Sequence, residues 1–205
     1  MAMTVASTKS SLMKAKSSLA LSNKGFELLD KKRNVLIREM MELADKSRNI
    51  QEKVYSTIAE AYQALQEANI TMGLRDVDDI TNSIPADEDF EILLKSVMGA
   101  EIPSVRYKRK EIKPAYGFYN SNISLDIARQ KFNEVRYCIY ELAELENSIF
   151  KLAKEIEKTN KRTNALEHIQ IPKYSEQVKR IQEVLEEKER EDYFRLKWCQ
   201  ARQKQ

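Results

Sequence analysis

Glycine and proline are scarce, four of each in 205 residues. The glycines, Gly25, Gly73, Gly99 and Gly117, lie too far apart for a phosphate-cradling loop, and so little loop-forming sequence implies long helices. His168 is the only histidine, and no second histidine or cysteine stands at ligand spacing, so neither a metal nor a cofactor is expected. Cys138 and Cys199 make no disulfide framework and suit a reducing compartment. On one continuous helix they would lie roughly 90 Å apart, too far to bridge. No apolar run reaches the ~18 residues of a membrane span, and Met1 to Ser11 lacks the apolar core of a signal peptide. Any membrane association is therefore expected to run through a partner. Acid pairs such as Glu186 and Glu187 are interleaved with Lys188 and Arg190, which reads as ion-pair decoration and not as tuned acid–base chemistry. No residue set proposes catalysis.

Charge is what the chain has in abundance. Asp, Glu, Lys and Arg make up 33% of it, close to the balance of coiled-coil proteins. A net charge of only +3 argues against a dedicated nucleic-acid binder. The distribution is uneven: ten basic against five acidic residues in 1–50, two against seven in 71–100, and nine against seven in 173–205. If the two ends lie together, Lys9, Lys14, Lys16, Lys24, Arg190, Arg195 and Lys197 form a basic tip for an acidic partner. The same charges also suit ordinary solvated helix faces.

An unbroken heptad runs from Leu12 to Ala68. One seam position reads Leu12, Leu19, Phe26, Arg33, Met40, Ser47, Val54, Ala61, Ala68; the other reads Ala15, Ser22, Leu29, Leu36, Leu43, Ile50, Thr57, Ala64. Thirteen of the seventeen are apolar, which predicts a single helix about 85 Å long that needs a partner of matching length. Ser7 or Thr8 can cap its start, and Gly73, in the left-handed conformation, can stop it. Gly25 costs such a helix roughly 1 kcal/mol relative to alanine. Close approach of another backbone would give it a purpose; a tolerated glycine is the alternative.

Residues 1–73 are thus the first arm, and 74–122 interrupt the pattern. Within this middle region Phe90 to Val97 and Ile102 to Lys108 read as strands joined by Met98-Gly99-Ala100-Glu101, a β-hairpin near 90–109. Its second strand sets Val105, Tyr107 and Arg109 against a basic face of Arg106, Lys108 and Lys110, and Pro103 suits a strand edge or start. A lone hairpin is marginal in water, so this one must pack on the helices or on a partner. The second arm, 123–205, has Ser124 as a candidate cap. Its seam reads Leu125, Ala128, Phe132, Val135, Ile139, Leu142, Glu146, Ile149, Ala153, Ile156, Asn160, Thr163, Glu167. Apolar character then fades, and a break is expected near Pro172. The economical fold is mainly α: a long antiparallel two-helix coiled coil with a compact β-hairpin excursion in the middle. Leu12–Ala68 would oppose roughly Leu125–Lys197, bringing Arg33 toward Glu167, and Leu29, Leu36, Met40, Asn164 and Leu166 would share that seam.

Several phrases occur together in order: Lys9-Ser10-Ser11-Leu12, Gly25, Leu28-Leu29, Lys32-Arg33, Ser96-Val97-Met98-Gly99, Ile102-Pro103, Arg162-Thr163-Asn164-Ala165-Leu166-Glu167, Ile171-Pro172, Glu189-Arg190-Glu191 and Phe194-Arg195-Leu196-Lys197. This set resembles the D subunit of the V-type and A-type rotary ATPases. The family commonly has a proline before its Thr-Lys pair, where this chain has Ser7-Thr8-Lys9. The resemblance implies a non-catalytic central-stalk rotor, peripheral on the cytoplasmic side of a membrane. Its termini would insert into a head of catalytic A and non-catalytic B subunits. Its middle would bind the small F subunit, and its far end would dock on the ring-capping C/d subunit. The hairpin residues Val97, Met98, Gly99, Ile102 and Pro103 would be placed to modulate activity. A static coiled-coil scaffold joining two partners is the alternative reading of the same residues.

Overall fold

The computed structural model describes residues 6–84, 90–109, 115–117, 119 and 121–203. Lys110, read above as part of the hairpin's basic face, lies outside the described residues. The elements run α1 (Lys9–Met72), α2 (Leu74–Ser83), β1 (Phe90–Val97), β2 (Ala100–Tyr107), α3 (Ile123–Ala165), a π-helical turn (Leu166–Gln170) and α4 (Ile171–Gln203). They divide into two compact units, Met1–Val35 with Ile156–Gln205, here the terminal unit, and Leu36–Glu155, the middle unit.

Each helix boundary has a local cause. At the start of α1 Thr8 and Ser11 cap one another: the Ser11 amide donates to Thr8 Oγ1 (3.2 Å) and the Thr8 amide to Ser11 Oγ (3.0 Å). Gly73 ends α1 with φ 91 and ψ 147, a positive φ as expected but with extended and not left-handed ψ. The helix resumes at once as α2 because this bend lets Val77 return to pack on Ala68 and Leu125. α3 starts one residue before Ser124, which is therefore not its cap: the Asn122 side chain accepts from the Ile123 amide at 2.7 Å.

All six buried residues of α1, Ala15, Leu36, Val54, Ala61, Ala64 and Ala68, fall on the expected heptad seam. In both units the partner helices run antiparallel. The terminal unit packs Ala15 on Val178 and Ile181. In the middle unit Lys131 meets Glu60 at 2.8 Å, and Tyr62 meets Phe132 edge to face. The seam expected on α3 needs correction. Leu125, Ala128, Val135 and Thr163 of that seam are buried, but Ile139, Glu146, Ala153, Asn160 and Glu167 are exposed, and Tyr137, Cys138, Ser148, Leu152 and Thr159 are buried off it. The change has a physical reason: between Tyr137 and Ser148, α3 also serves the hairpin, so its buried stripe turns away from the simple heptad line.

Near Pro172 the α-helix gives way to the π-helical turn Leu166–Gln170, and the backbone stays helical through it. Proline lacks an amide hydrogen and its ring crowds the carbonyl four residues back. A wide turn accommodates it just upstream, where the Ile171 amide bonds the Leu166 carbonyl. That turn inserts one residue. Counting in sevens from Thr159 and Thr163 leads to 180, 177 and 184, yet the packed residues of α4 are Ile181, Val178 and Leu185. Each is displaced by one.

β1 and β2 form a two-stranded antiparallel sheet in one-to-one register from Phe90↔Tyr107 to Val97↔Ala100. The connecting turn is shorter than expected. It is only Met98 (φ 50) and Gly99 (φ 79), the pair of positive φ values that a type I′ hairpin demands, while Ala100 and Glu101 belong to β2.

Candidate functional site

Each unit carries one candidate site. In the middle unit the hairpin is fastened to α3 by a polar stripe at helical spacing. Glu144 Oε2 accepts from the Val105 amide at 2.8 Å and Glu141 Oε1 accepts from the Tyr107 hydroxyl at 2.9 Å; the Ser148 hydroxyl donates to the Glu144 carbonyl at 2.6 Å and lies 3.4 Å from the Pro103 carbonyl. Residues 141, 144 and 148 share one face of a helix. An aromatic cluster backs the stripe: Tyr107 stacks on Tyr137 (centroids 5.2 Å), Phe90 meets Tyr140 (5.3 Å), and Arg109 lies over the Tyr137 ring. Partial burial, then the Glu141 carboxylate, push the Tyr107 hydroxyl above its ordinary pKa of 10.0. Of the hairpin residues singled out from the sequence, Ile102 is buried, Val97 and Pro103 are half-buried, and Met98 is exposed at the turn. The sequence demands a support for the hairpin without identifying it, because Glu141, Glu144 and Ser148 look like ordinary helix-surface residues until β2 lies beside them.

In the terminal unit Lys9, Lys14, Lys16, Lys24, Arg190, Arg195 and Lys197 are all exposed. Part of their charge is answered locally. Lys9 pairs with Glu189 at 3.0 Å, Arg190 with Glu187 at 3.6 Å, and Arg195 with Glu191 and Asp192. The Lys9–Glu189 pair also marks where α1 begins, so α4 runs on beyond its partner. There Tyr193, Phe194, Leu196 and Trp198 are 62–73% exposed, and Arg202 covers one face of Trp198 at 4.5 Å. Apolar burial does fade along α4, with no buried residue beyond Ile181 among the described residues, yet the overhang keeps these large apolar side chains. Its apolar side chains are interleaved with charges, and among the described residues no helix lies beside them to bury them.

Among the seam residues, Leu36 is fully buried, while Leu29, Arg33, Met40 and Leu166 are half-buried. Asn164 and Glu167 are exposed, and the expected Arg33–Glu167 pair does not form. Arg33 instead binds Asp30 (2.5 Å) and reaches Asn160 (3.4 Å), because the two arms oppose each other about one heptad away from the expected register. Glu167 lies beside the exposed His168. A Cβ added to Gly25 would sit 3.8 Å from Leu166 Cδ1, an ordinary contact, so no close backbone approach requires this glycine. Thr159 and Thr163 are almost fully buried, and the Thr163 hydroxyl is satisfied by the Thr159 carbonyl at 2.9 Å. Among the described residues no cluster of three or more His, Cys, Asp or Glu side chains could hold a metal, and no helix is long and apolar enough to cross a membrane.

Comparison with known proteins agrees with this geometry. The profile of the family described as the D subunit of ATP synthase matches residues 11–201. The V-type ATP synthase D subunit of Thermotoga neapolitana is 40% identical over 195 residues, covering 95% of this chain and 96% of that protein. The A-type ATP synthase D subunits of Methanobrevibacter smithii and Thermococcus sibiricus are 39% and 34% identical over 197 residues. Each of these matches covers 95% of this chain, and they span 85% and 92% of the relatives' own lengths. With its antiparallel helix pairs and its docked hairpin, this chain belongs to the family of ATP synthase D subunits.

Proposed function

We propose that this chain is the non-catalytic central-stalk rotor of a V/A-type ATPase. It would be turned by ion flow through a membrane ring during ATP synthesis, and by nucleotide hydrolysis in the head during pumping. The family match across residues 11–201 carries this reading. Paired helices that brace one another resist bending and twisting, which is what transmission of torque requires. An asymmetric shaft inside a nearly threefold head touches three similar interfaces differently, and only differential contact can bias their conformations. The exposed basic residues and aromatic side chains of α4 beyond Glu189 are the surface this reading assigns to the head of A and B subunits. The F subunit would take the middle region and the ring-capping C/d subunit the far end. The chain would then sit on the cytoplasmic side and reach the membrane only through the complex.

Co-expression with A, B and F subunits tests the proposal. One copy of this chain per six head chains is expected, and failure to enter the head overturns it. A reversible disulfide between a cysteine replacing Lys197 and the head should stop hydrolysis until it is reduced. Undiminished turnover in the cross-linked complex would instead favour a static scaffold. Shortening the hairpin between Val97 and Arg106 should change turnover or coupling while both helix pairs stay folded.

A further inference from the structure

The two edges of the small sheet are treated differently. The outer edge of β2 is covered by α3, where the Val105 amide donates to Glu144 and Ser148 lies against the Pro103 carbonyl. Among the described residues β1 has no second neighbour: the sheet contains two strands, and Phe90 through Ser96 are all exposed. Ile92 is 63% and Leu94 61% accessible. Because Val105 directs its amide away from β1, its opposite number Ile92 must direct its own amide and carbonyl away from β2. By strand alternation Phe90, Leu94 and Ser96 do the same. The outer edge of β1 is therefore a row of backbone donors and acceptors without a partner among the described residues. β1 contains no proline and its register shows no bulge, so of the devices that usually blunt such an edge it carries only the charges of Glu91 and Lys95.

The sequence of this edge, Phe-Glu-Ile-Leu-Leu-Lys-Ser-Val, is complementary to itself. Laid antiparallel against a second copy about a two-fold axis at Leu93, the outward-facing residues meet in hydrogen-bonding pairs, Phe90 with Ser96 and Ile92 with Leu94. At the closer non-hydrogen-bonded positions Leu93 meets Leu93, and Glu91 meets Lys95 twice. Moving the axis to Ile92 or Leu94 leaves the charges facing apolar residues or the end of the strand. Moving it to Glu91 or Lys95 sets like charges opposite each other. We propose that β1 is a self-association edge, pairing with β1 of a second copy of this chain about Leu93 to build a continuous four-stranded sheet. The pairing belongs to the chain outside any larger complex and does not depend on the rotor reading.

Sedimentation of the purified full-length chain over the micromolar to hundred-micromolar range tests this. A monomer–dimer equilibrium is expected; a monomer throughout overturns the proposal. Lys95→Glu should weaken the dimer about tenfold, since two attractive cross-strand pairs become repulsive. Combining it with Glu91→Lys should restore the dimer, because the reversed pattern is again self-complementary. Dimerisation unaffected by Lys95→Glu, or lost and not restored by the reversal, overturns the register. In a Cys199→Ser background, Leu93→Cys should form an interchain disulfide on mild oxidation and Ile92→Cys should not. Equal cross-linking of the two overturns the axis at Leu93. Hydrogen exchange guards against another occupant: the Ile92 and Leu94 amides should become protected with rising concentration. Protection of these amides in a chain that stays monomeric would mean that its own polypeptide covers the edge, and would overturn the pairing.

Discussion

The two units are made of the same kind of helix pair, but their interiors differ. Among the described residues the middle unit buries fourteen apolar side chains, and the terminal unit buries three, Ala15, Val178 and Ile181, alongside the hydroxyls of Thr159 and Thr163. Apolar burial contributes about 25 cal/mol per Å², so the middle unit has much the larger reserve of stability. The terminal unit has a smaller apolar cluster, Ala15, Val178 and Ile181 with half-buried Leu12, Leu19 and Leu185 packed against it. Elements that must adapt to successive neighbours are commonly drawn from the less stable part of a molecule.

The sharpest way to break the contrast is Leu152→Ala. Leu152 is fully buried in the middle unit, and its truncation should cost about 2–5 kcal/mol in denaturant unfolding. Thr163→Val, which keeps the shape and removes a hydroxyl satisfied within its own helix, should change stability by less than about 1 kcal/mol. Equal losses from the two substitutions would erase the distinction between the interiors. Glu144→Ala should cost about 1–2 kcal/mol by leaving the Val105 amide without its acceptor. Its signature would be faster exchange of that amide, with α1 unaffected.

Gly25→Ala tests the other unit in the opposite direction. The new methyl group meets Leu166 at ordinary contact distance, so the substitution should stabilise the terminal unit by about 1 kcal/mol. The smallest effect is expected at alkaline pH. The Tyr107 hydroxyl is held above its ordinary pKa in the folded chain, so its contribution is intact below pH 10.0 and falls away as pH rises through the folded value. Tyr107→Phe should flatten that alkaline loss, as measured by thermal melts above pH 10.0.

The helices and their partners are legible in the sequence wherever one rule governs a segment. The α1 heptad has a single partner face, and every buried residue of that helix lies on it. The α3 seam fails where one helix answers to two neighbours, its own partner and β2, which heptad counting cannot represent. The hairpin is legible from Met98-Gly99, but Glu141, Glu144 and Ser148 are not, since a carboxylate that accepts from a strand amide resembles any other surface carboxylate. The aromatic overhang is hidden because its charges dominate local composition. Tyr193, Phe194, Leu196 and Trp198 stand out only once α1 is seen to begin at Lys9.

The π turn before Pro172 adds a constraint of arithmetic. An α-helix drifts by about 20° per heptad against an exact seven-residue repeat, and one additional residue advances the phase by about 100°, the drift of roughly five heptads. The turn acts as a leap day does in a calendar, absorbing an accumulated mismatch in one place so that Val178, Ile181 and Leu185 come round on the side facing α1. What the chain must conserve between Leu166 and Gln170 is therefore a count of residues more than any one side chain.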